Sequence, residues 1–160
     1  AAQSVGADVP VCLDSRPRIM RGIGEVLSPP LDLPPIPAIL VNPGVALATR
    51  EVFGKFKGAQ SGPSLAGVPT KTGPLIELLK QQDNDLTVAA TACSPAVGEV
   101  LAALRSAPGS VLARMSGSGA TCFALFGSRQ EAAAAAQRLA GERNNWWVQA
   151  AAIGAVPGKT

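Results

Sequence analysis

Short apolar runs alternate with turn residues and with stretches of helical periodicity, and this pattern lays out the chain. Ala38-Ile39-Leu40-Val41 is a continuous apolar run that ends at Asn42-Pro43-Gly44, which predicts a buried strand followed by a turn. Thr49 is placed to N-cap a short helix over 50–57, with Gly58 closing it. Residues 58–73 are rich in Gly, Ser, Pro and Thr and read as a mobile loop. Leu75, Ile76, Leu78 and Leu79 form the apolar side of a helix from about Pro74 to Gln81. Asn84 and Asp85 open another helix that stops near Cys93. Ser94 then caps the next, with Pro95 at its first position and Val97, Val100, Leu101 and Leu104 as its buried stripe. Val111-Leu112-Ala113 and Cys122–Phe126 flank a small polar loop, predicting strand, loop and strand over 110–126. Ser128-Arg129-Gln130-Glu131 has the form of a capping box opening an Ala-rich helix, 129–140, that ends at Gly141. A last strand runs from about Trp146 to Ile153.

The order strand, helices, strand, strand, helix, strand fits a split β-α-β-β-α-β arrangement. The expected fold is α+β and ferredoxin-like, a four-stranded antiparallel sheet with helices on one face. Residues 28–37 carry five prolines in ten positions. Proline fixes φ and removes a ladder donor, so this segment is expected to be a stiff extended connector, neither helix nor central strand. It divides a leading piece, 1–27, from a body, 38–160. The leading piece begins without methionine and reaches a dense motif within six residues. It reads as the remnant of a preceding domain, and the whole chain as a piece of a longer protein.

Composition narrows the function classes. The 160 residues are 47% hydrophobic and 16% charged, enough apolar content for a core and too little charge for a disordered chain. The net charge of +3 comes from 14 scattered Lys and Arg, with no basic run, so a nucleic-acid partner is not expected. No apolar stretch approaches the roughly 20 residues of a membrane helix, and no signal peptide opens the chain. Cysteines at 12, 93 and 122 are odd in number and have apolar neighbours, which predicts buried reduced thiols in a cytoplasmic protein. Histidine is absent. Metal sites built on imidazole and Ser-His or Cys-His catalysis are thereby excluded, and any proton transfer uses a carboxylate, a lysine or water.

The candidate chemistry centres on Arg114-Met115-Ser116-Gly117-Ser118-Gly119-Ala120-Thr121. Glycines at 117 and 119 permit φ > 0 and close approach, and successive N–H groups in such a turn form a concavity that suits an anion. A flexible turn between two strands is the alternative. Asp8, within Gly6-Ala7-Asp8-Val9-Pro10, puts a carboxylate where a loop meets an apolar run, as a catalytic group or a local turn aspartate. Gly22-Ile23-Gly24-Glu25 is a second small-residue turn. Thr49 and Phe53 share one helix face, either facing a ligand or serving as N-cap and core aromatic.

Gly-Ala-Asp-Val-Pro, Gly-Ile-Gly-Glu, Val-Asn-Pro-Gly-Val with Thr49 and Phe53, Asn-Asp-Leu, and Arg-Met-Ser-Gly-Ser-Gly-Ala-Thr follow one another in order. Together they resemble the second half of the 4-diphosphocytidyl-2-C-methyl-D-erythritol kinase family. That family belongs to the superfamily named for galactokinase, homoserine kinase, mevalonate kinase and phosphomevalonate kinase. The resemblance covers essentially the whole chain. It implies ATP-dependent phosphorylation of the 2-hydroxyl of a cytidine-diphosphate-linked methylerythritol, in the non-mevalonate route to isoprenoids, with Mg2+ accompanying ATP in the full enzyme. It implies further that Asp8 is the base taking the hydroxyl proton. Ser116, Gly117, Ser118, Gly119 and Ala120 would form a loop that steadies phosphates, and Ile23, Thr49 and Phe53 would line the cytidine end of the pocket. Phosphoryl transfer asks for positioning, charge stabilisation and one proton acceptor, and these residue types supply all three.

The family's first half, with its ATP loop, the lysine that pairs with the catalytic aspartate, and the aromatic opposite the cytosine, has no counterpart in the chain. The chain is therefore expected to be inactive by itself. A homoserine kinase is the nearest alternative, and its loop carries a proline where Ala120 stands here. A non-catalytic ferredoxin-like module that binds a small ligand or a partner is the alternative of another class.

Overall fold

A computed structural model describes residues 12–13, 15–22, 24, 26–58 and 67–154. The Gly-Ala-Asp-Val-Pro segment with Asp8, and Ile23 and Glu25 of the second turn, lie outside the described residues. Strands β1 (Met20–Arg21) and β2 (Val26–Leu27) pair antiparallel as a small hairpin. Gly22 and Gly24 turn between them at φ of 67° and 104°.

The body follows the expected element order. Strand β3 (Ile36–Asn42) leads to helices α1 (Thr49–Lys55), α2 (Thr72–Lys80), α3 (Thr87–Cys93) and α4 (Pro95–Arg105). Strands β4 (Ser110–Met115) and β5 (Cys122–Phe126) come next, then α5 (Arg129–Glu142) and β6 (Trp147–Ile153). The four long strands form one antiparallel sheet in the order β4-β5-β3-β6. Numbered within the body this is 2-3-1-4, the ferredoxin-like order.

Successive strand residues face opposite sides of a sheet, and both sides carry apolar residues here. Ile39, Val41, Met115, Cys122, Ala124 and Phe126 face a core closed by residues of α1, α3, α4 and α5, including Val52, Ala90, Val100, Leu104 and Leu139. Ile36, Ala38 and Leu125 face the other side, where Leu75 of α2 covers them together with Leu33, Leu79 and Phe123. The helical layer expected on one face therefore holds for α1, α3, α4 and α5, while α2 crosses to the opposite face. The apolar side predicted for α2 is what it buries there.

The connector over 28–37 is corrected at its end. Ile36 and Pro37 belong to β3, an inner strand, paired with Ile153 and Ala152 of β6. Pairing with β5 begins only at Ala38. At Pro37 the strand thus has one neighbour, which is where a sheet accommodates a residue lacking an N–H.

The helix ends depart from expectation in small ways. Ala48, not Thr49, is the N-cap of α1, and the helix stops at Lys55 with Phe56 as C-cap, so Gly58 does not close it. Ser94 precedes α4 in extended conformation, but its hydroxyl makes no cap hydrogen bond. At α5 the Ser128 hydroxyl accepts the Glu131 N–H at 3.2 Å and donates to the Glu131 carboxylate at 3.0 Å. The helix passes through Gly141 to Glu142. Trp146 lies just before β6, buried, with the Arg143 guanidinium 5.1 Å from its ring centre.

Of the cysteines, only Cys122 is buried; Cys93 is half-buried and Cys12 exposed. An apolar run is buried only where another surface covers it, and beside Cys12 the neighbouring Leu13 is itself 75% exposed. No helix among the described residues is long and apolar enough to cross a membrane.

Candidate functional site

The loop between β4 and β5 is tied down rather than flexible. The Ser116 N–H donates to the Thr121 carbonyl at 2.9 Å and the Gly119 N–H to the Ser116 carbonyl at 3.0 Å. Gly117 and Gly119 have φ of 53° and 89°, a region that favours glycine. The two glycines differ in surroundings. A Cβ at Gly119 would lie 2.9 Å from Met115 Sδ and 3.1 Å from Leu47 Cδ2, whereas at Gly117 it would meet nothing within 4 Å. Gly119 is thus demanded by the core beneath it, and Gly117 leaves open space above the loop. Among the described residues the N–H groups of Gly117, Ser118 and Ala120 have no protein partner.

Thr49 and the loop, 69 positions apart in sequence, meet directly: Thr49 Oγ1 lies 2.9 Å from Ser118 Oγ. This contact gives the Thr49 hydroxyl a partner other than its own helix, and it leaves the N-cap to Ala48. Phe53, one turn further along α1, is 47% exposed. It lines a cavity of about 400 Å³ with Phe56, Asp83, Asn84, Asp85, Leu86, Arg114 and Met115. The core-aromatic alternative is thereby overturned, because the buried residue of α1 is Val52. A larger cavity of about 700 Å³ lies along Gly54–Gly58 and α3, away from the loop. Size does not select the site; the smaller cavity reaches Met115, where the loop begins.

Two asparagines frame the loop. Asn42 Nδ2 donates to Thr121 Oγ1 at 2.9 Å while its Oδ1 accepts the Gly44 N–H at 2.9 Å. Asn84 Nδ2 donates to the carbonyls of Met115 and Gly117 at 2.9 and 2.8 Å. Arg114 donates to the carbonyls of Leu79 and Gln82, fixing the end of α2 against β4. Burial lowers the pKa of the Arg114 guanidinium from its ordinary value, and the nearby Asp83 carboxylate opposes that shift. Phe56 and Asn84 are site residues that the sequence reading left out. Phe56 carried a usable signal, a second aromatic three positions after Phe53. Asn84 was marked by the Asn-Asp-Leu motif and as a helix opener, but its contacts with the loop, more than thirty residues away, leave no local trace.

The described residues contain no group of three or more Cys, Asp or Glu able to hold a metal ion. Asp8 and Ile23, outside the described residues, are not placed relative to Thr49, Phe53 and the loop.

The sheet order, with a glycine loop at the β4–β5 corner, defines a class. Residues 70–145 match the family described as GHMP kinases C terminal, the class of protein that this chain resembles. Its relatives within that class are 4-diphosphocytidyl-2-C-methyl-D-erythritol kinases. The protein of that name from Methylobacterium radiotolerans is 49% identical over 154 residues, covering 92% of this chain and 52% of the relative. The one from Paracoccus denitrificans is 49% identical over 159 residues, covering 98% and 57%. A solved 4-(cytidine 5'-diphospho)-2C-methyl-D-erythritol kinase superposes with a TM-score of 0.75 at 32% identity, over 96% of this chain and 56% of that one. A homoserine kinase from Cytophaga hutchinsonii superposes at 0.66 with 22% identity, over 90% and 50%, a likeness of fold alone. The chain spans about half the length of the curated relatives it matches.

Proposed function

We propose that this chain is the C-terminal half of a cytoplasmic enzyme that phosphorylates the 2-hydroxyl of 4-diphosphocytidyl-2-C-methyl-D-erythritol with ATP. The observation that carries the reading is the meeting of α1 with the glycine loop. Thr49 touches Ser118, and Phe53 lines a cavity that reaches Met115, the last residue of β4 before the loop. An exposed aromatic beside unpartnered backbone N–H groups suits a ligand with a base at one end and phosphates at the other. In this reading Phe53 stacks on the cytosine, an interaction worth about 1–3 kcal/mol per base. Thr49 and Ile23 line the same end. Residues 116–120 steady the phosphates, through N–H groups that need no reorganisation when charge develops. Asp8 takes the proton of the 2-hydroxyl, the role open to a carboxylate in a chain without histidine. The names of the relatives support the substrate. Mg2+ is expected with ATP, but the described residues offer it no ligand set, and no step here passes through it.

In an enzyme that carries this chain as its second half, Asp8→Asn keeps the side chain's size and removes the base. The expected result is a fall in kcat of about 10²–10⁴-fold, with kcat/KM falling alongside it. A steady-state assay at saturating ATP measures it, and turnover within a few-fold of the parent refutes the assignment.

A further inference from the structure

Asn84 stands in the turn between α2 and α3, and the reading above gives it no task beyond opening α3. Its side chain does more than that. Oδ1 accepts the Leu86 N–H at 3.0 Å, and the Asn84 backbone carbonyl accepts the Thr87 N–H at 2.9 Å, both at the start of α3. Nδ2 reaches 31 and 33 residues ahead to the carbonyls of Met115 and Gly117.

Those two hydrogen bonds set the direction of the loop's amides. In a planar trans peptide the C=O and the following N–H point to opposite sides. The Met115 carbonyl is turned toward Asn84, so the Ser116 N–H points away from it, and there it meets the Thr121 carbonyl. The Gly117 carbonyl is likewise turned toward Asn84, which sends the Ser118 N–H to the far side, where it has no protein partner among the described residues. Thr49 holds the side chain of the same serine. Arg114, bound to the carbonyls of Leu79 and Gln82, locks the turn that carries Asn84 onto the strand from which the loop departs.

We propose that Asn84 is the positioning residue of the glycine loop, aiming the Ser118 N–H at a phosphate group of the bound substrate or nucleotide. The inference rests on the reading of residues 116–120 as a phosphate loop. Without the two donors from Asn84 the Gly117–Ser118 peptide is free to rotate, and the amide is no longer presented in a fixed direction.

The test uses the 160-residue chain, 15N-labelled, with inorganic pyrophosphate as the probe and the Ser118 and Gly117 amide shifts as the readout. Asn84→Asp keeps an acceptor for the Leu86 N–H and removes both donors to the loop; Asn84→Ala is read the same way should the carboxylate prevent folding. The expected result is saturable movement of the two amides in the parent and about tenfold weaker affinity in the variant. Spectra of α5 should remain unchanged. Parent amides that do not move with pyrophosphate overturn the phosphate-loop reading and this inference with it. Parent binding that the variant retains at full strength overturns the inference alone, and a lowered Tm beside that retained affinity marks Asn84 as a helix opener only.

Discussion

The two faces of the sheet are built from the same kinds of residue and closed in different ways. One is sealed: Ile39, Val41, Cys122, Ala124 and Phe126 pack under four helices, and Val97, Val100, Leu104 and Cys122 are wholly buried. The other is half-open. Ile36, Ala38 and Leu125 are covered by α2 and Leu33, and an apolar groove of about 450 Å³ remains, running from Pro17–Met20 past Leu75 and Leu79 to Ile153. The candidate site sits at the rim of the sealed face, with Met115 at the end of β4 and Ala120 of the loop rooted in that core. A loop held to a fixed geometry needs a rigid floor, and close-packed side chains provide one.

The comparison breaks if equal deletions cost the same on both faces. Leu104→Ala, in the sealed core, should cost about 2–5 kcal/mol, because a cavity is left that closely packed neighbours only partly fill. Leu75→Ala should lie at or below the low end of that range, since its site already opens on the groove. Urea unfolding of both variants measures the difference, and equal losses would remove the distinction between the faces.

A smaller effect separates the two glycines of the loop. Gly119→Ala forces a Cβ within 2.9 Å of Met115 Sδ at positive φ, and should cost about 2–3 kcal/mol. Gly117→Ala meets open space and pays only for its backbone conformation, about 1–2 kcal/mol. Thermal melts of the pair should keep that order. A reversal would mean that the loop is not seated on the sealed core.

The smallest effect is in alkaline solution. Burial on the sealed face pushes the Cys122 thiol up from 9.0 to about 11, against a smaller lowering by Arg105. Between those values the folded chain keeps the proton and the unfolded chain loses it. This contribution to stability is therefore complete below about pH 9 and declines as pH rises toward 11. Cys122→Ala should flatten the fall of the urea midpoint over that range. Parallel curves for parent and variant would show that the thiol titrates alike in both states.

Local pattern was enough for most of the fold. The apolar runs at 38–41 and 122–126, the stripe of α4, proline at its first position and the serine before α5 each specify an element through neighbours in sequence, and the strand order follows from their succession. Prolines misled at one place. Ile36 and Pro37 join the sheet because β6, more than a hundred residues later, pairs with them where β5 does not reach. The loop was legible as a glycine turn with two readings. The choice between a flexible turn and a held one depended on hydrogen bonds from Asn42, Thr49 and Asn84.

What the amino-acid sequence determined by itself was the set of elements, the absence of histidine from the chain, and the motifs by which it resembles a kinase family. Each of these rests on residue type and on spacing within one helix or strand. Tertiary structure alone decided which side of the sheet α2 covers, that Phe53 stays exposed while Val52 is buried, and that Thr49 serves Ser118 rather than its own helix. It also decided that Asn84 faces the loop. These outcomes depend on which surfaces meet across tens of residues, and a hydrogen bond between distant segments forms only after packing has brought its donor and acceptor within about 3 Å.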